Sequence, residues 1–262
     1  MEKYLEFVNI YLEINSGMWH NNIKLTKCKR GEGEYFIEKQ VHGGKKLENT
    51  SIISRISNAL FGSKNTSITT DEKGKTTMKI GIISGSVREG RNSAAVSEWI
   101  HEFAQKRNDG GIEYEVVALA DYDLPLLGAK LPEDRQAAAG AAIQAWSEKM
   151  ASFDGYVFVT PEYNHAVGGA LKNALDFLKP EVADKAAGFV GYGSLGGARA
   201  HENMRVILGE LSVATVHTTV NFSLMTDFEN MSKFVPNDYH ANNATAMFDE
   251  LIKWSGALKT IR

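Results

Sequence analysis

Three short stretches of this chain gather residue types that bind phosphate, stack on flat rings or bring a backbone close to a ligand. The first is Ser84-Gly85-Ser86-Val87-Arg88-Glu89-Gly90-Arg91-Asn92-Ser93. Its glycines let the main chain approach a ligand, Ser86 and Ser93 offer hydroxyl donors, and Arg88 and Arg91 add positive charge. If a helix starts here, its unpaired N–H groups and dipole complete a phosphate site. The same residues also fit a plain helix start, with Asn92 or Ser93 as N-cap. The second stretch is Thr160-Pro161-Glu162-Tyr163-Asn164-His165, with Gly168 and Gly169 behind it. An aromatic ring and an amide beside a proline-stiffened turn suit a planar heterocycle, and they equally suit an ordinary turn with an exposed tyrosine. His165 has no evident partner in the sequence and is expected to face solvent. The third, Tyr192-Gly193-Ser194-Leu195-Gly196-Gly197-Ala198-Arg199, has three glycines and so invites close approach through backbone N–H groups.

Several other chemistries fail on spacing. The first stretch lacks the G-x-G-x-x-G of a dinucleotide site. Gly74-Lys75-Thr76 has Thr69 where a nucleotide-binding P-loop needs glycine. Gly193-Ser194-Leu195-Gly196 approaches a hydrolase nucleophile elbow, but Tyr192 stands where G-x-S-x-G requires glycine. Asp227, Asp238 and His240 supply triad residue types without a recognisable context. No metal site and no nucleophilic side chain are expected.

The elements that position these stretches alternate regularly from Met78 onward. MKIGIIS reads as a buried parallel strand, followed by a helix with Val96, Trp99, Ile100 and Phe103 on one face. YEVVAL, YVFVT, AGFVGY and TVHTTV follow as strands. Between and after them run helical stripes at Ile143, Trp146, Met150 and Phe153, at Leu171, Leu175 and Leu178, at Ala200, Met204, Ile207 and Leu211, and at Ala244, Met247, Phe248, Leu251 and Ile252. Five β-branched strands alternating with helices predict an α/β fold, a doubly wound parallel sheet in the flavodoxin-like order 2-1-3-4-5. Ligands of such sheets bind beyond the carboxyl ends of the strands, where all three stretches fall.

Residues 1–77 differ in character. NIKLTKC and EYFIEKQV flank Arg30-Gly31-Glu32-Gly33 and predict a hairpin. SIISRISNALFG carries Ile52, Ile53, Ile56 and Leu60 at helical spacing, and the polar run from about Asn49 to Thr77 reads as a linker. This extension holds 12 Lys and Arg against 9 Asp and Glu, whereas the remainder holds 17 against 23. The domain boundary is therefore expected at residue 77/78. The net charge of −3 gives no general attraction to nucleic acid or anionic membrane. The lone cysteine, Cys28, rules out a disulfide within the chain and points to a reducing, cytoplasmic setting. No apolar run is long enough to span a bilayer, and the start does not read as a signal peptide.

Taken in order, G-S-x-R-x-G-R-x-S (Gly85 to Ser93), P-E-Y-N-H (Pro161 to His165), L-K-N-A-L-D (Leu171 to Asp176) and G-S-L-G-G-A-R (Gly193 to Arg199) resemble the NADPH-dependent FMN reductase family. That family includes quinone, azo-dye and chromate reductases, and the resemblance covers residues 78–262. It implies FMN as cofactor, with NADPH or NADH as electron donor and a small-molecule electron acceptor. Ser86, Arg88 and Ser93 would hold the phosphate with Arg91 and Asn92 close by. Pro161, Glu162, Tyr163 and Asn164 would line the ring and ribityl region. Gly193, Ser194, Gly196 and Gly197 would support the ring's other edge, largely through backbone. Lys172, Asn173 and Asp176 would support the second stretch. A homodimer or homotetramer is implied too. The competing reading is a flavodoxin-like electron carrier without nicotinamide activity, although such carriers usually show a T-x-T-G-x-T loop.

Overall fold

The computed structural model describes residues 8–16, 19–30, 34–41 and 78–262. Its contacts divide the chain into two units, Met1–Lys64 and Asn65–Arg262. In the first, β1 (Val8–Ser16), β2 (Trp19–Arg30) and β3 (Glu34–Val41) form an antiparallel meander in that order. The expected hairpin is the β2–β3 pair, with Cys28 opposite Phe36. Strand β1 was not foreseen, although Val8, Ile10, Leu12 and Ile14 alternate with period two, the signature of a strand with one apolar face. The expected helix at residues 51–62 and the linker lie outside the described residues.

The second unit runs β4 (Met78–Ser84), α1 (Ser93–Lys106), β5 (Ile112–Ala118), a 3-10 turn (Leu119–Asp121), α2 (Glu133–Ala151) and β6 (Gly155–Tyr163). It continues with β7 (Ala166–Val167), α3 (Gly169–Leu175), β8 (Ala186–Gly193), α4 (Ala198–Glu210) and β9 (Ala214–Ser223). A small hairpin, β10 (Phe228–Glu229) and β11 (Lys233–Phe234), precedes α5 (His240–Lys259). The main sheet has the order β5-β4-β6-β8-β9 and every pair along it is parallel, the predicted 2-1-3-4-5 arrangement.

Strand parity divides the core into two layers. Ile80, Ile82, Val157, Val159 and Val190 meet Val96, Ile100, Met247, Phe248 and Leu251, from α1 and α5. Ile83, Tyr156, Phe158 and Phe189 meet Trp146, Met150, Leu171, Leu175, Met204 and Leu208, from α2, α3 and α4. Apolar residues at both parities are what a strand covered on both faces demands. Each such side chain contributes about 1.5–3 kcal/mol when fully buried, so these layers fix the strand order and the loops at its edge.

Strand β9 carries one irregularity. Its pairing with β8 jumps from Ala187↔Thr215 to Phe189↔Thr219, which leaves backbone groups unpaired. Arg205 of α4 donates to the carbonyls of Val216 (2.8 Å) and His217 (3.1 Å). Glu250 of α5 accepts from the N–H groups of His217 (2.8 Å) and Thr218 (3.1 Å). The bulge is thus clamped from two helices.

Candidate functional site

The chain leaves β4 for β5 on one side and returns to β6 on the other, so the first glycine-rich stretch sits at the switch in strand order. A cleft of about 250 Å³ opens there. The first stretch lines it from Arg88 through Glu89, Gly90 and Arg91 to Asn92, the second with Pro161, Glu162 and Tyr163, and Tyr192, Gly193, Leu224, Met231 and Ser232 complete it. Seven of the residues singled out from sequence therefore meet here. Ser86 and Ser93 are buried at its edge, while Asn164 and Ser194 are exposed.

The first stretch does start a helix. Asn92 occupies the N-cap position of α1 but makes no capping bond; its Nδ2 donates to the Met231 carbonyl at 3.1 Å. The plain capped-start reading thus fails for Asn92. Ser93 is fully buried, and its Oγ and the buried atoms Ser84 Oγ, Arg91 Nε and Tyr192 Oη lack a hydrogen bond of normal length, although the Ser93 and Ser86 hydroxyls lie near enough to Tyr192 to act on it. Burial raises the Tyr192 hydroxyl to about 12, neighbouring Tyr163 adds to the shift, and the hydroxyls of Ser93 and Ser86 oppose it. Ser86 Oγ lies 3.4 Å from Tyr163 Oη, and the Arg88 guanidinium sits 5.5 Å from the centre of the Tyr163 ring. Buried donors without such a bond are costly unless something accepts from them. Several such donors beside a helix N-terminus and two arginines fit a multi-oxygen anion.

The second stretch is strand rather than loop. β6 runs through Tyr163, and Asn164 (φ 49°) and His165 (φ 68°) make a two-residue turn into β7. The Glu162 carboxylate is taken up by Arg199, which grips it through Nε and Nη2 and donates its backbone N–H at 3.0 Å. Burial alone would raise the Glu162 carboxyl, but these bonds outweigh it and hold it below the usual range. Any contact Glu162 makes in the cleft therefore comes from other atoms. His165 is exposed, as expected, yet it does have a partner: Arg199 Nη1 donates to its Nε2 at 2.7 Å, which leaves the ring proton on Nδ1. Asn173 serves a different loop from the one foreseen, donating to Pro125 O (2.8 Å) and accepting from Leu127 N (2.9 Å).

In the third stretch Gly196 and Gly197 answer to packing of the loop against β8 and β9. Gly196 (φ 69°) and Gly197 (φ 82°) are left-handed, and a Cβ there would come within 2.7 Å of Asn221 Cβ and 2.9 Å of Gly191 Cα. Gly193 alone of the three lines the cleft. Sequence reasoning missed Tyr192, Leu224, Met231 and Ser232. Tyr192 had drawn notice merely for breaking the hydrolase pattern, and the other three lie in a segment without a motif.

The family model for NADPH-dependent FMN reductases matches residues 78–227. The chain belongs to that family. Among curated proteins, the NAD(P)H-dependent FMN reductase ntnL of Nectria sp. is 34% identical over 158 residues, 57% of this chain and 78% of the relative. The quinone reductase of Escherichia coli K12 is 32% identical over 138 residues, 50% of this chain and 69% of the relative. Among solved structures, FerB of Paracoccus denitrificans, a flavoenzyme NAD(P)H:(acceptor) oxidoreductase, superimposes with a TM-score of 0.52 at 19% identity. It covers 67% of this chain and 98% of its own, a likeness of fold. The residues of this family member's cleft fit a flavin phosphate on their own chemistry, because Arg88, Arg91 and Tyr192 line it and the helix that starts at Ser93 offers its N-terminal N–H groups.

Proposed function

We infer that this chain is an FMN-dependent oxidoreductase, which takes electrons from NAD(P)H and passes them to a small acceptor such as a quinone, an azo compound, free flavin or a metal oxyanion. The observation that carries this reading is the set of buried donors without a hydrogen bond of normal length at the start of α1, beside Arg88 and Arg91. FMN bound there supplies the redox chemistry that the protein's side chains lack. The chain's own residues bind, orient and exclude water. Ser86, Arg88 and Ser93 hold the phosphate end, with Arg91 and Asn92 close by. Pro161, Glu162, Tyr163 and Asn164 flank the ring and ribityl chain, with Glu162 acting through its backbone. Gly193, Ser194, Gly196 and Gly197 shape the opposite wall by their backbone path. No side chain acts as a nucleophile.

A homodimer or homotetramer in the cytoplasm, without nucleic-acid or membrane partners, completes the proposal. The net charge of −3 gives no general attraction to nucleic acid or anionic membrane, and among the described residues no helix is long and apolar enough to cross a membrane. The division into an extension at 1–77 and a reductase domain at 78–262 is part of the same reading. An electron carrier without nicotinamide activity is less favoured, since the relatives carry reductase names. Anaerobic titration of flavin-loaded protein with NADPH and with NADH tests this. Bleaching of the flavin's visible absorption by at least one donor is expected. Bleaching by dithionite alone would make the protein a carrier instead.

A further inference from the structure

One wall of the cleft comes from a segment beyond the family match, which ends at residue 227. The β10–β11 hairpin begins at Phe228, and its Met231 and Ser232 line the cleft together with Arg88 and Arg91.

The base of this hairpin is firmly held. Asp227 is fully buried, and its carboxylate accepts from Ser223 N (2.9 Å), Asn237 N (3.1 Å) and Asn237 Nδ2 (2.8 Å). The buried His240 pairs with it through Nε2 at 2.9 Å, and Val235 N donates to its carbonyl at 2.8 Å. Phe234 meets Phe222 edge-on at 4.9 Å and Phe228 at 5.0 Å.

The tip is the reverse. Asn230 (φ 50°) and Met231 (φ 56°) are both left-handed, a conformation that side-chain-bearing residues seldom adopt, and Met231 is 59% exposed. At the tip the Met231 carbonyl accepts from the Asn92 side chain of the first glycine-rich loop. Asn92 stands where a helix cap would stand, and its amide serves this bond instead.

We propose that the hairpin is a strap over the phosphate end of the cofactor cleft, that the Asn92 side chain fastens it to the glycine-rich loop, and that this fastening sets how fast FMN leaves. The proposal rests on the FMN reading above. It makes Asn92 a positioning residue that acts through the Met231 carbonyl, rather than a ligand of the phosphate. The division of labour follows from the geometry: a rigid base fixes the strap's direction, and a single bond at a strained tip is the part that opens. An exposed neutral hydrogen bond is worth a modest amount, so its loss should speed release roughly twofold to tenfold.

The test is a double-mutant cycle read by FMN release, followed as the recovery of free-flavin fluorescence on dilution. The variants are Asn92→Ala, a shortened hairpin in which residues 230–232 become a two-residue Asn-Gly turn, and the two combined. Each single change should speed release, and the combination should add nothing to the faster of them. Hydrogen exchange on the flavin-free protein gives the second readout. Amides 229–233 should exchange faster in Asn92→Ala while β4, β6 and β8 keep their protection. The proposal falls if Asn92→Ala leaves release unchanged, if it keeps its full effect in the shortened background, or if exchange at 229–233 does not respond. A full effect in the shortened background would mean that Asn92 holds the phosphate directly. A protein that takes up no FMN overturns the cofactor reading and the strap's role together, and the exchange data on flavin-free protein distinguish that failure from a loose strap.

Discussion

At the scale of residues, the site combines fixed charge with buried donors that lack a normal hydrogen bond. Arg88 is exposed and touches the protein mainly through the Tyr163 ring, so little in the fold depends on it. Arg88→Ala should therefore leave the melting temperature nearly unchanged while weakening FMN binding. A charge-assisted hydrogen bond is worth about 1.5–3 kcal/mol, so the loss should be roughly tenfold to a hundredfold, checked by fluorescence titration. An unchanged dissociation constant would make Arg88 a surface charge. Glu162 has the opposite character. Its bonds to Arg199 keep its folded pKa below the ordinary 4.5, so the unfolded chain takes up the proton first as pH falls. The pair's stabilisation is present above that ordinary value and is lost as pH drops through the folded pKa. Thermal melts of Glu162→Gln should show a shallower acid decline than wild type, and parallel declines would refute the assignment. Arg88, Arg91 and Tyr163 were legible because their types match the ligand's chemistry. The role of Glu162 was not, since its partner lies 37 positions away.

At the scale of elements, alternation and periodicity carried almost the whole of the second unit into view. Buried strands such as MKIGIIS and AGFVGY are apolar at both parities and bounded by glycine, which leaves little ambiguity. The misses have local causes. Pro161 suggested that β6 had ended, yet the strand runs on to Tyr163 and pairs there with a two-residue β7 too short to carry a pattern. Leu178 lies past the end of α3 but is buried, so the stripe reported burial rather than helix. The glycine loop before α4 gives a direct test. Gly197→Ala places a side chain in the left-handed region and against the Gly191 backbone, which should cost at least about 1–2 kcal/mol in denaturant unfolding. A variant of wild-type stability would show that the loop's path is looser than its geometry implies.

At the scale of the whole molecule, the two units differ in sheet type and in charge, and the family match touches the second alone. Residues 78–262 contain a five-stranded sheet with apolar layers on both faces, the kind of core that lets a domain fold by itself. Expressed by themselves they should fold cooperatively and retain flavin, judged by thermal melting and absorption. Failure to fold, or loss of flavin, would place the domain boundary elsewhere. The extension's meander was half legible: the glycine-centred turn after Arg30 marked β2 and β3, whereas the shorter signal Asn15-Ser16-Gly17 at the end of β1 went unread. The proposed activity depends on the identity of the cofactor, which is read most directly by releasing with heat whatever the purified full-length protein binds and chromatographing it. FMN at one per chain is expected, in the protein as isolated or after reconstitution; FAD, or no flavin uptake at all, would overturn the cofactor assignment.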